Sequence, residues 1–84
     1  MIYRQQKYKM KQKVFSQFVL LNSKLYNIKT YKLFNIQDLL SFFCINSNLI
    51  VLEYNGKVSS SQNWSLIKLK FKDKIETITI VGGG

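Results

Sequence analysis

The pattern of apolar and polar positions predicts a β-hairpin after an irregular polar start. Phe15 to Leu21 is mostly apolar, with aromatic and β-branched residues, and a second apolar run, Leu25 to Ile28, follows the polar residues 22–24. Strand-forming residues on both sides of a short polar turn are typical of two antiparallel strands. The turn departs from the usual pattern, because Ser23 stands where the tightest turn prefers glycine.

A helix is predicted to begin at Asn35. The Asn35 side chain can cap the first free amides, and Asp38 stands where a capping box has its acid. Apolar residues then recur at the spacing of one helical face: Ile36, Leu39, Leu40 and Phe43. We expect Cys44, on or near this helix, to be a buried structural thiol rather than a nucleophile, because the chain has no His to activate it.

Two further strands are predicted in the second half of the chain. Leu49 to Asn55 has apolar residues on both faces, as a strand inside a sheet has. One face carries Ile50, Leu52 and Tyr54, and the other carries Leu49 and Val51. Asn55-Gly56 ends this strand in a turn. The last strand is expected to run from Ile75 to Val81.

The segments between these strands are predicted to be connections. Ser59 to Asn63 is expected to be a polar loop, Trp64 a packing anchor, and Lys72-Asp73 a turn. Leu66, Ile67 and Leu69 indicate a short strand or a helical turn. The resulting order of elements predicts an α+β fold in which one helix lies across a mixed sheet.

Length and composition narrow the function classes. A chain of 84 residues is one domain with a modest core, too small for a pocketed enzyme with several catalytic groups. No apolar run approaches the roughly 20 residues of a membrane span, so we expect no membrane partner. The single Cys44 excludes an internal disulfide, which fits a reducing compartment.

The net charge of +9 is unevenly placed. Five of the thirteen basic residues lie in the first thirteen positions, without an acid, so residues 1–14 are predicted to be a basic, flexible extension. The chain has no Ala, Pro or His and is rich in Lys, Ile and Asn, a bias that an AT-rich genome imposes. We therefore favour a solvated surface over a nucleic-acid site.

The chain ends in three glycines. Residues 82–84 follow the predicted last strand directly and carry the terminal carboxylate of Gly84. Glycine lacks a Cβ, so such a tail can enter a slot too narrow for side chains. The alternative is a frayed terminus without a role.

Several segments, taken in order, resemble the ubiquitin-like β-grasp sulfur carriers, in particular the sulfur carrier proteins of thiamine biosynthesis. The resemblance spans residues 18–84 and rests on the segments 35–40, 51–58, Trp64, 69–76 and 81–84. Two positions depart from the family, because Ser23 and Lys72 stand where its members have glycine. The related molybdopterin-synthase small subunit has prolines before its final glycines, and this chain has none.

The resemblance implies a β-grasp domain over residues 15–81 and a working tail over Gly82, Gly83 and Gly84. The Gly84 carboxylate would be adenylated by a ubiquitin-activating-like adenylyltransferase that consumes ATP. A persulfide donor such as a cysteine desulfurase would convert the adenylate to a thiocarboxylate, and thiazole synthase would take the sulfur for the thiazole ring of thiamine. The chain would then be a cosubstrate, not an enzyme, with no bound cofactor or metal.

A helix covers only one face of a sheet, so the other face is a candidate docking surface. We assign to it Val51, Glu53, Ile78, Ile80 and Val81; the pattern does not decide which face is exposed.

The alternatives to a thiamine-type sulfur carrier are a molybdopterin-type carrier, a ubiquitin-like modifier and, more remotely, a basic nucleic-acid-binding module. The composition indicates a plastid-encoded protein of an alga, or an AT-rich bacterial cytoplasm.

Overall fold

Five strands and one α-helix make up residues 12–80, the part of the chain that the computed structural model describes. In chain order they are β1 (Phe15–Leu21), β2 (Lys24–Thr30), α1 (Ile36–Phe42), β3 (Ile50–Tyr54), β4 (Lys57–Ser59) and β5 (Asp73–Thr79). Two 3-10 helices, Ser47–Leu49 and Ser61–Leu66, lie before β3 and after β4. The predicted basic extension falls almost wholly on residues 1–11, outside the described part.

The last strand lies in the middle of the sheet. The strand order is β2-β1-β5-β3-β4. The β1–β5 pair is parallel, whereas β1–β2, β3–β4 and β3–β5 are antiparallel. The predicted mixed sheet with one main helix is therefore confirmed. The strand that leads to the C-terminal glycines is flanked by the first hairpin on one side and by β3 on the other.

Helix α1 begins as its sequence predicts. The Asp38 amide donates to Asn35 Oδ1 at 2.8 Å, and the Asn35 amide donates to Asp38 Oδ2 at 3.0 Å, which completes a capping box. The helix buries Ile36, Leu39 and Leu40 in the core against sheet residues that include Val19, Leu52 and Ile75. Phe43 is partly buried and packs edge-on against Tyr26 at 4.7 Å between ring centroids.

The prediction that Cys44 is buried is wrong, because the helix ends before it. Cys44 is exposed and has a φ of 58°. Its amide donates to the Ser41 carbonyl at 3.0 Å, and the Ile45 amide donates to the Leu40 carbonyl at 2.8 Å. These two bonds form a Schellman motif, whose left-handed position is usually a glycine. Cys44 occupies that position, so its side chain projects away from the core.

Two connections also differ from their predictions. The predicted polar loop, Ser59 to Asn63, instead contains the end of β4 and the start of the 3-10 helix Ser61–Leu66, and the short strand β4 was not anticipated. Ser60 caps this helix. Trp64 is the predicted anchor: it is 2% exposed, and its indole Nε1 donates to the Ser59 carbonyl at 3.1 Å. Short elements made mostly of polar residues have no clear apolar periodicity, so the sequence pattern does not predict them.

Strand β5 begins two residues earlier than predicted, at Asp73, because this carboxylate organises the turn before it. Asp73 is 6% exposed and accepts hydrogen bonds from Tyr54 Oη at 2.8 Å, the Lys70 amide at 2.8 Å and Asn55 Nδ2 at 3.2 Å. Burial, and next the hydrogen bond to the Asp73 carboxylate, raises the pKa of Tyr54 to about 12. The end of the predicted strand, Val81, lies outside the described residues.

Both positions that depart from the family have a left-handed backbone. The φ angles of Asn22 and Ser23 are 51° and 68°, those of a type I′ hairpin turn, and the φ of Lys72 is 61°. The hairpin is thus formed without its glycine. Side chains other than glycine are strained in this region by about 1 kcal/mol or more.

We expect Lys72→Gly to raise the free energy of unfolding by about 1 kcal/mol, because it removes this strain. Urea denaturation measures the change. Lys70→Gly is the matched control: Lys70 has no positive φ, so a glycine there should lower the stability by about 0.5–1 kcal/mol. Equal effects of the two substitutions would contradict the strain at Lys72.

We expect Tyr54→Phe to lower the stability at pH 7 by about 2 kcal/mol, because the buried Asp73 carboxylate loses a donor. The raised pKa of Tyr54 contributes stability that is present below pH 10 and is lost as the pH rises toward 12. The deficit of the variant should therefore shrink over this interval. Tyr31→Phe, at a side chain that is 70% exposed, is the control and should not change the pH dependence. A deficit that is constant to pH 12 would disprove the role of the phenol.

Candidate functional site

The sheet has one face covered by helix α1 and one face without a helix. Successive residues of a strand point to opposite faces. On β5 and β3, Ile75 and Leu52 lie in the core beneath the helix and are fully buried. Val51 is one residue from Leu52, and Ile78 is three residues from Ile75, so both belong to the opposite face, which we call the outer face. The structure thus decides which side of the sheet is accessible, a point that the sequence pattern left open.

The register of β3 and β5 brings the predicted docking residues together. Val51 lies opposite Ile78, and Glu53 lies opposite Glu76. The Ile80 amide donates to the Leu49 carbonyl at 2.7 Å, which continues the pairing one step beyond β5. Val51, Glu53, Ile78 and Ile80 thus share the outer face, and Val81 lies outside the described residues.

An apolar strip covers the end of the outer face from which the chain leaves toward Gly84. We define it as Leu49, Val51, Ile78 and Ile80. Leu49 is 50%, Ile78 53% and Ile80 50% exposed, although all three are large apolar residues. Val58, on the neighbouring strand β4 opposite Glu53, is 71% exposed. Contiguous exposed apolar residues are typical of a surface that binds another protein.

Next to the apolar strip lie two carboxylates, Glu53 and Glu76. Of the four acidic residues in the chain, the other two are engaged in the fold: Asp38 caps helix α1, and Asp73 is buried. Glu76 is a site residue that the sequence analysis missed. No local signal reveals it, because its position opposite Glu53 depends on the pairing of strands that are far apart in sequence.

A second apolar cluster lies on the same face, farther from the C-terminal end. Phe18 of β1 packs edge-on against Phe71 with 5.7 Å between ring centroids, and Phe71 is 71% exposed. Leu20 and Leu25 are neighbours across the β1–β2 hairpin. The sequence analysis also missed this cluster. Strands β1 and β2 have apolar residues on both faces, so their pattern does not show which of these residues lie on the outer face.

Asn22 fastens the last strand where β1 ends. The Thr77 amide donates to Asn22 Oδ1 at 2.8 Å, and Asn22 Nδ2 donates to Thr77 Oγ1 at 3.0 Å. The Asn22 side chain thus makes hydrogen bonds to β5 beyond the point where the backbone pairing of β1 with β5 ends. Strand β5 is therefore hydrogen-bonded on both sides up to Thr77. The predicted tail, Gly82, Gly83 and Gly84, lies outside the described residues.

An open cleft between the first 3-10 helix and β4 is lined by Gln37, Ser47, Asn48, Ile50, Val51, Val58, Ser59, Ser61 and Trp64, and none of these side chains is an acid or base near neutral pH. Within residues 12–80, no three His, Cys, Asp or Glu side chains cluster as metal ligands would. No helix in this range is long and apolar enough to cross a membrane.

Comparisons with known proteins agree with this geometry. The model of the ThiS family matches residues 19–84. The crystal structure of a thiamine biosynthesis protein (ThiS) from Geobacter metallireducens shares the fold, with a TM-score of 0.70 and 23% identity over 81% of this chain and 100% of that one. The uncharacterized protein ycf40 of Trieres chinensis is 52% identical over 50 residues, which cover 60% of this chain and 68% of that protein. The family match confirms the resemblance drawn from the sequence: the chain belongs to the ThiS family of β-grasp sulfur carriers.

Proposed function

We propose that the chain carries sulfur for the thiazole ring of thiamine as a thiocarboxylate on Gly84. The observation that carries this proposal is the family match, which runs through the central strand β5 and on to Gly84. The relative from Geobacter metallireducens bears the description of a thiamine biosynthesis protein, which supports the thiamine assignment over the molybdopterin alternative.

The chemistry requires activation before sulfur transfer. A carboxylate is a poor electrophile, because substitution would have to expel an oxide. Attack of the Gly84 carboxylate on the α-phosphate of ATP forms an acyl adenylate and releases pyrophosphate. The terminal sulfur of a persulfide then displaces AMP, and cleavage of the S–S bond by a thiol, which supplies two electrons, leaves the thiocarboxylate. Thiazole synthase receives this sulfur.

The division of labour places the catalytic groups on the partners. The ubiquitin-activating-like adenylyltransferase binds ATP, and the cysteine desulfurase or another donor supplies the persulfide. The carrier contributes one carbonyl carbon and a surface by which it is recognised. It is a cosubstrate rather than an enzyme, and it needs no resident cofactor.

The apolar strip is the proposed recognition surface, because it lies only a short stretch of chain away from the reacting carbon. Gly84 is the fourth residue after Ile80, so its carboxylate reaches at most about 14 Å beyond Ile80. A partner that holds Gly84 in its active site must therefore lie close to this end of the sheet. Val51, Ile78 and Ile80 offer it an apolar contact, and Val81 would extend that contact toward the tail.

The proposed setting is an algal plastid. The relative in Trieres chinensis, a diatom, supports an algal relationship. The low content of residues with GC-rich codons, including the absence of Ala and Pro, is in keeping with a gene in an organelle genome.

We expect removal of Gly84 to abolish thiocarboxylate formation without unfolding the protein, because residues 12–80 contain the core. The purified chain is incubated with ATP, the adenylyltransferase, cysteine desulfurase and cysteine, and its intact mass is measured. The full chain should gain the mass difference between sulfur and oxygen, and the truncated chain should not. Circular dichroism controls for folding. Sulfur uptake by the truncated chain would refute the assignment of Gly84, and conjugates on a gel would instead indicate a ubiquitin-like modifier.

We expect Ile78→Asp to raise the KM of the adenylyltransferase for the carrier at least about tenfold, because a buried apolar contact is lost at the interface. The kcat should be unchanged, since the tail is intact. Leu66→Asp is the matched control: Leu66 is 75% exposed but lies on the second 3-10 helix, away from the outer face. Equal KM values for Ile78→Asp and the wild type would exclude the apolar strip as the docking surface.

A further inference from the structure

Two of the four acidic side chains face each other on the outer face. Glu53 and Glu76 are cross-strand partners, so their Cα atoms are about 5 Å apart. Like charges directly opposite each other destabilise a sheet. The chain carries thirteen basic residues, yet the ion pair that the structure holds within residues 12–80 is Lys32–Asp38 at 3.3 Å, on another part of the surface. Within residues 12–80 neither carboxylate is in an ion pair, although Lys74 lies on the same face of β5, two residues from Glu76.

The surroundings of this pair tie it to the apolar strip. Val51 and Ile78 lie two residues along β3 and β5 from Glu53 and Glu76, a distance of about 7 Å. Val58 flanks Glu53 on the other side. A protein that covers the apolar strip next to the tail must therefore also cover the two carboxylates. Burying two carboxylates without a cation between them is strongly unfavourable.

We propose that Glu53 and Glu76 together receive an arginine side chain of the adenylyltransferase that activates Gly84, an inference that rests on the proposed function. The arginine would lie between apolar side chains that contact Val51, Ile78 and Val58. Guanidinium has five N–H donors in one plane and is weakly hydrated, so it can bridge two carboxylates at a desolvated interface. A single lysine ammonium offers fewer and less directed donors.

Charge argues against other occupants of this surface. In a symmetric dimer, the same patch of both copies meets itself, so pairing through this face would bring four carboxylates together. Nucleic-acid phosphates would meet the two carboxylates as like charges. A partner protein with a basic residue at the centre of an apolar surface fits both the charge and the apolar contacts.

The test measures adenylation by ATP–pyrophosphate exchange as a function of carrier concentration. The double variant Glu53→Gln/Glu76→Gln keeps the shape of both side chains and removes their charge. We expect its KM to rise at least about tenfold with kcat unchanged, because the interface arginine loses its partners while the tail stays intact. The wild-type KM should rise steeply with added salt, and that of the variant should not.

Two controls separate docking from general effects of charge and stability. Gln62→Lys/Asn63→Lys changes the net charge by the same two units on the exposed second 3-10 helix, and it should leave KM near the wild-type value. The melting temperature of Glu53→Gln/Glu76→Gln should rise by about 2 °C, because the repulsion in the free protein is removed. Weaker docking with higher stability is an outcome that a merely structural role would not produce. The single variants Glu53→Gln and Glu76→Gln should each show part of the KM effect.

The outcomes distinguish this inference from the proposed function. A folded wild-type chain that is not adenylated would overturn both. A wild-type chain that is adenylated, with an unchanged KM for Glu53→Gln/Glu76→Gln, would overturn the arginine contact and leave the proposed function standing. A wild-type dimer in sedimentation that the double variant disrupts or strengthens would assign the face to a second copy and would also overturn the inference.

Discussion

The structure depends on the pairing of its last strand with its first. Strand β5 is parallel to β1 and antiparallel to β3, so it closes the sheet and buries Ile75 beneath helix α1. A parallel pair needs a long crossover, and here everything from β2 to β4 forms it. The segment that leads to the C-terminal glycines is therefore also the centre of the fold. The C-terminal glycines therefore follow a strand that is paired on both sides.

Side-chain hydrogen bonds hold this strand at its start and near its end. At its start, the buried Asp73 carboxylate joins the Tyr54 phenol and the turn before the strand. Farther along, the Asn22 side chain bonds to Thr77 where β1 has ended. Both sets of bonds link parts of the chain that are distant in sequence, and both leave the outer face free. Support for the strand thus comes from β3, from the end of β1 and from the turn before β5, not from side chains of the surface proposed for docking.

The outer face combines features that lower the stability of the free protein. The exposed Ile78 and Ile80 gain little from folding, and the facing Glu53 and Glu76 repel each other. A protein that only had to fold would gain by replacing them with polar or oppositely charged residues. Their presence together, at the end of the sheet from which the tail departs, is consistent with a surface completed by a partner.

Local physical rules allowed much of the fold to be predicted. Helix α1 follows from its capping box and from the spacing of Ile36, Leu39 and Leu40, which are rules within a few residues. The hairpin follows from two apolar runs around a turn, even though Ser23 replaces glycine there. The order of elements and the closing glycines together predicted the family. The flexibility of residues 1–14 and the role of Gly84 stay predictions.

The amino-acid sequence by itself determined the helix, the main strands and the family, because caps, periodicity and motifs act between near neighbours. Only the tertiary structure decided which face of the sheet is open, how Glu76 comes to lie opposite Glu53, and that Cys44 is exposed. The first two depend on strand register between residues more than twenty positions apart, and the third depends on where packing ends the helix. Periodicity cannot reveal these features, because it shows which residues of a strand share a face but not which residues of another strand lie opposite them.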